Sequence, residues 1–366
     1  IVGASFAGLA CARTAASRGL KVCVIERKTD PGLGVRTTGI LVKEAADELD
    51  IPSHLTRLIR GVRLYAPNGK STDHSSPGYY FLASDTPNLL RWMADEARRA
   101  GAEILFGTPF KRAEQTGDLV TLPDLGLEGR LLIGADGATS TVGRAFGLDA
   151  NQRFLGGVEF ELEAEPALDE RFLHCFLDSK LAPGYIGWAV PGVGVTQVGL
   201  AARHGFRPDA RAFLKVYMER LGLPERRIVA RRSGLIPAGA TLKTTATGRV
   251  MLIGDAAGHV SPVTGGGIVQ TLRLGRRTAQ LASDWINAGG EHPARALARE
   301  APRYATKLLV RRVLDLAPPD WMWNLVFGTA PFRALAQGIY FHGRGPQEGE
   351  ANPRAESARK IENAAR

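Results

Sequence analysis

Several features that mark other protein classes are scarce or missing in this sequence. Among its 366 residues only three are cysteine, and Cys11, Cys23 and Cys175 have none of the spacings that bind a metal. No apolar run reaches the roughly 18 residues of a membrane-spanning helix, and no internal repeat or secretory signal is visible. We therefore exclude a metal centre and a transmembrane segment. Cys11 and Cys23 are expected to be small buried residues of a cytoplasmic protein.

Acidic residues are also in short supply, because 37 Asp and Glu face 47 Lys and Arg and leave a net charge of +10. Several arginines occur in pairs, at Arg226–Arg227, Arg231–Arg232, Arg276–Arg277 and Arg311–Arg312. Such a surface suits nucleic acid, an anionic membrane, an anionic substrate, an acidic partner protein, or solvent alone. No nucleic-acid-binding motif accompanies the charge, so we expect no nucleic-acid partner.

A glycine-rich motif two-thirds of the way along the chain is the most informative feature present. The apolar segment Val250–Ile253 leads into Gly254-Asp255-Ala256-Ala257-Gly258, and a second turn, Thr264-Gly265-Gly266-Gly267, opens a helix at Ile268. Such turns bring backbone N–H groups against an anionic or electron-rich ligand. We expect a flat or phosphorylated ligand here.

The start of the chain has the pattern of a dinucleotide-binding βαβ unit. A turn with Gly3, Ser5 and Gly8 opens a helix of small residues, and the apolar strand Lys21–Ile25 ends at Glu26. In such units pyrophosphate rests on the helix N-terminus, and the acid binds ribose hydroxyls. Ser5 replaces the middle glycine of the usual pattern, but it is small and its hydroxyl can bond phosphate. The β pattern is cut short at the first residue, so we expect a few leading residues of this strand to be missing.

A third apolar strand, Leu131–Ala135, delivers Asp136 into another glycine turn. With these three motifs the chain, from Ile1 to about Leu281, resembles the FAD-dependent two-domain family of aromatic hydroxylases, and within it the geranylgeranyl reductases. The resemblance implies an α/β fold: an FAD-binding Rossmann-like domain with an inserted antiparallel β-sheet substrate domain and a helical C-terminal region. With 366 residues and 44% hydrophobic content, the chain is long enough for two domains.

The resemblance also implies where the domains lie. Two segments that alternate apolar and polar residues, Val158–Glu163 and Val195–Leu200, support the antiparallel sheet. The expected ranges are 1–60, 88–150 and 240–295 for the FAD-binding domain, 61–87 and 151–239 for the substrate domain, and 296–366 for a helical region with a polar tail.

In the family that the chain resembles, the first glycine turn holds the pyrophosphate and the acid after the second strand holds the adenosine ribose. The late Gly-Asp turn holds the ribityl chain, and the triple-glycine turn faces the pyrimidine edge of the flavin. A helix N-terminus at that edge favours the anionic reduced flavin. The cofactor-binding residues implied are Gly3, Ser5, Phe6, Ala7, Gly8, Glu26, Arg27, Arg36, Thr37, Phe110, Asp136, Gly254, Asp255, Gly258, Gly265, Gly266, Gly267 and Ile268.

A substrate pocket is expected above the flavin, around the run Pro183 to Pro191. Geranylgeranyl reductases have Pro-x-x-Tyr-x-Trp-x-Phe-Pro here, and this chain keeps the tryptophan but replaces the tyrosine and phenylalanine. Ile186, Trp188 and Val190 are two apart, so on a strand they share one face. They line either an apolar pocket or ordinary sheet core. Tyr185 is displaced by one position, which predicts the opposite face.

No residue stands out as the proton donor. Related reductases have an Arg-Cys pair near the flavin, where this chain has Arg36 and Thr37, and a threonine hydroxyl does not ionise usefully near neutral pH. Thr37 and His259 are the weak catalytic candidates, and His259 is also interpretable as a hydrogen-bonding residue at a helix entry.

The C-terminal segment mixes aromatic and basic residues. Trp321–Phe327, Phe332, Leu335 and Ile339–Phe341 are flanked by Arg311, Arg312, Arg333 and Arg344. This composition suits a membrane interface or the mouth of a lipid tunnel, and equally a cap on the substrate domain.

The leading hypothesis is therefore an FAD-dependent reductase of C=C bonds in an isoprenoid or similarly apolar lipid. The oxidised cofactor would be reduced again by NAD(P)H or by a ferredoxin-type donor that binds transiently. Two alternatives stay open: an FAD-dependent aromatic monooxygenase, and a flavin-bound electron carrier without its own substrate.

Overall fold

A computed structural model describes residues 1–341 and shows a mixed α/β protein with one parallel and one larger, mostly antiparallel sheet. Arg344 and the tail after Gly345 lie outside the described residues. The strands are β1 (Cys23–Ile25), β2 (Ile40–Val42), β3 (Thr56–Ile59), β4 (Gly61–Tyr65), β5 (Ser71–Ser75), β6 (Phe81–Ser84), β7 (Glu103–Leu105), β8 (Glu114–Thr116), β9 (Leu119–Leu122), β10 (Leu127–Gly129), β11 (Leu132–Gly134), β12 (Phe154–Glu163), β13 (Phe172–Phe176), β14 (Gly187–Pro191), β15 (Val195–Ala202), β16 (Ile228–Pro237), β17 (Ala246–Thr247) and β18 (Val250–Leu252). The helices are α1 (Phe6–Ser17), α2 (Lys43–Glu48), α3 (Thr86–Arg99), α4 (Thr141–Ala145), α5 (Ala210–Leu221), α6 (Ile268–Ala288), α7 (Pro293–Glu300), α8 (Ala305–Asp315), α9 (Asp320–Val326) and α10 (Ala330–Phe341).

The parallel sheet brings the first residues of the chain between two later strands. β1 pairs with β7 and β11 pairs with β18, both in parallel, and Val2 bridges Ile25 on one side and Gly134 on the other. One face of this sheet packs on α1, α3 and α6, and the other packs on α4 and the three strands β8 to β10. Burial on both faces explains why its strands read as continuous apolar runs.

The larger sheet has seven strands in the order β16-β12-β15-β14-β13-β4-β5. Its neighbours are antiparallel except β13 and β4, which run parallel. One face packs on α5, where Phe160 and Leu200 contact Phe213 and Tyr217. Side chains on the opposite face are therefore directed toward the loop that precedes β2.

A smaller sheet, β2-β6-β3, and the last helix complete the substrate side. Phe341 at the end of α10 is fully buried and meets Tyr79 and Phe81 edge-on, with ring centroids 5.6 and 5.7 Å away. β4 and β5 join the large sheet, whereas β6 pairs with β2 and β3, so 61–87 does not form a single sheet element. The domain boundaries stay a prediction. No helix within residues 1–341 is both long and apolar enough to cross a membrane.

Candidate flavin site

The N-terminal turn is packed so closely that it accepts only glycine at two positions. Gly3 has φ +103°, and a Cβ there would lie 2.4 Å from the Ala135 carbonyl oxygen. A Cβ at Gly8 would lie 1.9 Å from the Gly3 carbonyl oxygen. The N-terminus of α1 is thereby held against the end of β11, and the exposed Ser5 at the helix N-cap makes no side-chain capping bond. Backbone N–H groups and one hydroxyl are consequently available to an anion.

Glu26 fastens this turn to the end of β1. Its buried carboxylate accepts hydrogen bonds from Ala4 N at 2.8 Å and Lys28 N at 3.0 Å. The acid therefore lies beside the start of α1, where the βαβ pattern places the ribose, while Arg27 is exposed next to it. Phe110 packs among the apolar residues on the face of the parallel sheet that meets strands β8 to β10. Ribose and adenine contacts by these residues stay predictions.

The late glycine turn meets the first one. Gly254 has φ +64°, and a Cβ there would lie 2.9 Å from the Cβ of Ala7. The neighbouring Asp255 carboxylate receives no hydrogen bond from the residues that the structure describes, and burial raises its pKa to about 6. A half-buried acid that receives no hydrogen bond from the described residues is suited to the hydroxyls of a ligand.

Asn151 links two of the turns and was not recognised from sequence. Its Nδ2 donates to Ala138 O at 3.0 Å and to Asp255 O at 2.9 Å, which joins the turn after β11 to the turn after β18. Its Oδ1 is buried without a hydrogen-bond partner in the described part of the chain. No motif in the sequence marks this asparagine, which lies in the loop after α4.

Asp136 has a structural task. Its carboxylate accepts from Ser140 Oγ at 2.6 Å, from Thr141 N at 2.6 Å and from Val142 N at 3.1 Å, so it caps the start of α4. These bonds account for its position without a ligand. Cofactor contact by Asp136 therefore stays a prediction that the hydrogen-bond pattern does not require.

The triple-glycine turn lies against Tyr185 and opens α6. The Tyr185 hydroxyl donates to Thr264 O, and a Cβ at Gly265 would lie 2.7 Å from that hydroxyl. Gly267 is the N-cap of the 21-residue helix α6 and is without a side-chain capping bond. The prediction that Tyr185 faces away from Trp188 is wrong, because both contact the same small apolar cluster. Strand alternation does not apply, since β14 begins only at Gly187.

His259 is poorly placed for acid catalysis. It is only 2% exposed, and burial lowers its pKa to about 4, so the imidazole is neutral near pH 7. Its Nδ1 has no hydrogen-bond partner among residues 1–341. A catalytic role stays a prediction that burial disfavours, whereas a hydrogen bond to a ligand would satisfy Nδ1.

The loop at Arg36 and Thr37 lies on the open face of the seven-stranded sheet. The Arg36 carbonyl oxygen packs against Gly234, where a Cβ would lie 2.9 Å away. Arg232 Nη1 donates to Thr37 O at 2.9 Å, and Thr38 Oγ1 donates to Glu159 Oε2 at 2.5 Å. Arg36 itself is exposed.

The three predicted pocket residues lie together beside this loop. Ile186, Trp188 and Val190 share one apolar cluster with Phe327 and Phe332 of the C-terminal region. The Trp188 ring lies over Gly199, where a Cβ would be 2.7 Å from its Cζ2. Val190 is buried, while Ile186 and Trp188 are partly exposed. Pocket lining stays a prediction for all three.

Two of the predicted surface arginines are buried. Arg311 is 1% exposed, pairs with Asp315 at 3.0 Å and donates to Gly184 O, and the Arg232 side chain is 7% exposed. Cys11 is buried, with its pKa raised by burial to about 12, and Cys23 is half-buried. The basic surface is therefore smaller than the arginine pairs suggest.

Three observations show that FAD fits this arrangement. The turns at Gly3, Gly8 and Gly254 are packed against neighbouring protein atoms, two helix N-termini begin beside them, and three polar groups on these turns have no hydrogen-bond partner within residues 1–341. Those groups are Asn151 Oδ1, His259 Nδ1 and the Asp255 carboxylate.

Comparison with known proteins identifies relatives of this chain. An NAD(P)-binding Rossmann-like domain model matches residues 1–73, and a lycopene cyclase protein model matches residues 200–317. The chain is 31% identical over 314 residues to the digeranylgeranylglycerophospholipid reductase of Methanothrix thermoacetophila, covering 79% of this chain and 78% of the relative.

Two solved structures share the fold. A geranylgeranyl bacteriochlorophyll reductase-like protein from Thermoplasma acidophilum superposes with a TM-score of 0.79 at 20% identity, covering 93% of this chain and 96% of that one. Aklavinone-11 hydroxylase in complex with FAD and aklavinone has a TM-score of 0.65 at 19% identity, covering 87% of this chain and 70% of that one.

Proposed function

The chain belongs to the digeranylgeranylglycerophospholipid reductase family, and from this membership and the site geometry we propose that it saturates C=C bonds in isoprenoid chains of membrane lipids. It is an FAD-dependent oxidoreductase. The observation that carries the proposal is the apolar cluster around Trp188, which lies beside the Arg36 to Gly39 loop and near Tyr185, whose hydroxyl bonds the triple-glycine turn. An apolar wall at this place accommodates a hydrocarbon chain.

The residues that would hold FAD lie in two of the turns and at two helix N-termini. The start of α1 and Ser5 would bind the pyrophosphate, Glu26 the adenosine ribose, Asp255 the ribityl hydroxyls, and the start of α6 the flavin ring. When bound and reduced, FAD supplies a hydride for the double bond.

The protein's own contribution is orientation and exclusion of water. Tyr185, just before β14, donates to Thr264 O and so links the proposed pocket wall to the turn that would face the flavin. Phe327 and Phe332 close the apolar cluster from the C-terminal side. A fixed, dry position for the alkene is what such a reaction requires.

Product analysis tests this proposal. Chemically reduced holoprotein is mixed anaerobically with digeranylgeranylglycerophospholipid in detergent, and the lipid is examined by mass spectrometry. We expect a gain of two hydrogen atoms per reacted double bond. An unchanged lipid in the absence of oxygen, together with an oxygenated product in air, would instead identify a monooxygenase, and the hydroxylase fold neighbour makes this the second candidate. Flavin that is reduced and reoxidised by partner proteins without any lipid product would identify an electron carrier.

We further propose that an exposed apolar surface on α8 and α9 contacts the membrane that contains the substrate. Leu309, Val313 and Leu316 lie on one side of α8 and are 62%, 53% and 78% exposed. Trp321 and Leu325 of α9 are 65% and 72% exposed. Exposed Arg303, Arg312 and Arg333 provide the cationic rim that anionic lipids attract. The C-terminal region thus has two parts: α10 caps the large sheet, while α8 and α9 expose apolar side chains.

The electron donor is proposed to be anionic, either NAD(P)H or an acidic ferredoxin-type protein. A cavity of about 530 Å³ next to the start of α5 is lined by Arg207, Arg211 and Arg231, and these arginines form no ion pair within the described part of the chain. Stopped-flow reduction by NADPH or by reduced ferredoxin, in wild type and in Arg231→Glu, decides between the donors. This assignment is contradicted if neither donor reduces the flavin, or if Arg231→Glu leaves the rate of flavin reduction unchanged.

A further inference from the structure

A buried carboxyl group lies directly beneath the Arg36 to Gly39 loop. Glu159 is 4% exposed, and its Oε2 accepts hydrogen bonds from Thr38 Oγ1 at 2.5 Å and from Trp188 Nε1 at 2.8 Å. Its Oε1 has no hydrogen-bond partner in residues 1–341. An ionised carboxylate with one oxygen left unpaired in the interior is costly, and protonation of the carboxyl group removes the charge that makes it so.

The charges around Glu159 also favour an extra proton. Arg232 Nη2 contacts Glu161 Oε1, while Arg232 Nη1 lies 3.7 Å from Glu159 Oε1, which is too far for a hydrogen bond. Two carboxyl groups thus share one guanidinium. The three side chains together are neutral only when one of the two carboxyl groups is protonated. Burial is the main cause that raises the pKa of Glu159. Glu161 raises this pKa further, and Thr38, Trp188 and Arg232 oppose the shift.

Strand register explains why these groups meet. Trp188, Gly199, Glu159 and Arg232 are successive partners across β14, β15, β12 and β16. Gly199 has no side chain, so the indole leans across it and reaches Glu159. The loop above needs such a group, because Thr37 stands where related reductases have a cysteine and no acid lies on the loop itself.

We propose that Glu159 stores the proton of the reduction and passes it through the Thr38 hydroxyl to the substrate, an inference that rests on the proposed function. The alkene gains a hydride from the reduced cofactor at one carbon and the Thr38 hydroxyl proton at the other. For this step the Thr38 O–H turns from Glu159 Oε2 toward the alkene, and Thr38 Oγ1 accepts the carboxyl proton from Oε2; Glu159 is left as a carboxylate and regains a proton from solvent. The two electrons come from the cofactor, so atoms and charge balance. Thr38 is then the catalytic residue and Glu159 its positioning and supplying partner.

Infrared spectroscopy of the oxidised holoprotein tests the first half of this proposal without any turnover. Near neutral pH, where Asp255 with its pKa of about 6 is mostly ionised, we expect a carboxylic acid C=O band that Glu159→Gln removes. The matched control is Glu163→Gln, which changes the same residue type on the same strand at an exposed ion pair with Arg227 and leaves the band intact. A band that survives in Glu159→Gln overturns the proposal.

A second variant keeps the test decisive if Glu159→Gln does not fold. Glu161→Gln leaves Arg232 to Glu159 alone, so the pKa of Glu159 falls and the same band disappears at lower pH than in wild type. An unchanged titration contradicts the shared-proton cluster.

The second half is tested by anaerobic single turnover with digeranylgeranylglycerophospholipid. We expect Glu159→Gln and Thr38→Val to slow reoxidation of the flavin by the lipid about 100-fold or more, Thr38→Ser to restore it, and flavin reduction by dithionite to be unchanged. The wild-type rate should fall as pH rises through the pKa of Glu159, and Glu159→Gln should have no such dependence. Equal rates in wild type and both slow variants overturn the relay. If wild type itself does not react with the lipid while the infrared band is present, the proposed function fails and the protonated Glu159 stands.

Discussion

The glycine turns of the proposed cofactor site and the cross-strand row of Trp188, Glu159 and Arg232 are both closely packed, but by different means. Gly3 and Gly8 lie against backbone oxygens and Gly254 lies against the Ala7 side chain, while neighbouring polar groups have no hydrogen-bond partner within residues 1–341. Beneath the pocket, Trp188 and Glu159 satisfy most of their polar atoms with each other and with the loop above. In our proposals the first region receives the cofactor and the second holds a proton on Glu159. Substitutions can separate the two.

Filling the first turn should have the largest effect. Gly3→Ala introduces a Cβ 2.4 Å from a backbone oxygen at a residue with φ +103°, so we expect a loss of more than about 3 kcal/mol in unfolding free energy and no bound FAD. Gly19→Ala is the control, because φ is +82° but no atom lies within 4 Å of the added Cβ, and it should cost only about 1 kcal/mol. Urea unfolding and flavin content per chain measure both. Equal losses in the two variants would mean that strain, not close contact, requires the glycine.

Removing the charge of Asp255 should affect only the cofactor region. It should stabilise the apo protein but weaken its binding of FAD. Its pKa of about 6 lies above the ordinary 3.8, so the apo protein loses stability as pH rises through that interval and does not regain it. Asp255→Asn should therefore stabilise the apo protein by about 2 kcal/mol at neutral pH, with little difference at pH below 3.8, and weaken FAD binding.

Unfolding of apo protein across this pH range is the measurement for Asp255. Asp47→Asn, at an exposed acid on α2, should show no such dependence. A wild-type minus Asp255→Asn difference in unfolding free energy that does not change with pH would contradict the raised pKa of Asp255.

Filling the space under Trp188 should affect only the substrate region. A Cβ at Gly199 would lie 2.7 Å from Trp188 Cζ2 and 2.8 Å from Val158 O, so Gly199→Ala displaces the indole from Glu159 at a cost of about 1 to 2 kcal/mol. FAD content should stay normal while tryptophan fluorescence changes. Gly156→Ala on β12 is the control, since the nearest atom would be 3.7 Å away. Loss of FAD in Gly199→Ala would show that the two regions are not separable.

The smallest effect on stability is expected at the outer edge of the substrate region. Val313 is 53% exposed on α8, so Val313→Glu should change unfolding free energy by less than about 0.5 kcal/mol. Flotation with vesicles that contain anionic lipid should nevertheless show several-fold weaker binding. Leu119→Glu on β9, at a residue 40% exposed, is the control. Unchanged flotation of Val313→Glu would remove α8 from the membrane-contacting surface.

The sequence predicted the glycine turns better than it predicted the cross-strand row, because the turns are local in the chain and the row is not. Close contacts and, at Gly3 and Gly254, a positive φ leave only glycine in the turns, so Gly3, Gly8 and Gly254 are visible in the sequence as motifs. Glu159 and Thr38 are 121 positions apart and meet only through strand register, which no local pattern records.

Two further residues show the limits of local pattern. Tyr185 was assigned to the wrong face because the alternation rule was applied two residues before the strand begins. Asp136 was recognised from its turn, but nothing in the sequence distinguishes a helix cap from a ligand contact.

The most direct test of the central claim is anaerobic reoxidation of the reduced flavin by digeranylgeranylglycerophospholipid, followed by flavin absorbance with the product counted by mass spectrometry. We predict that one double bond is saturated for each flavin reoxidised, with no oxygen present. Reduced flavin that persists with the lipid until air is admitted would contradict the claim that this protein is an isoprenoid lipid reductase.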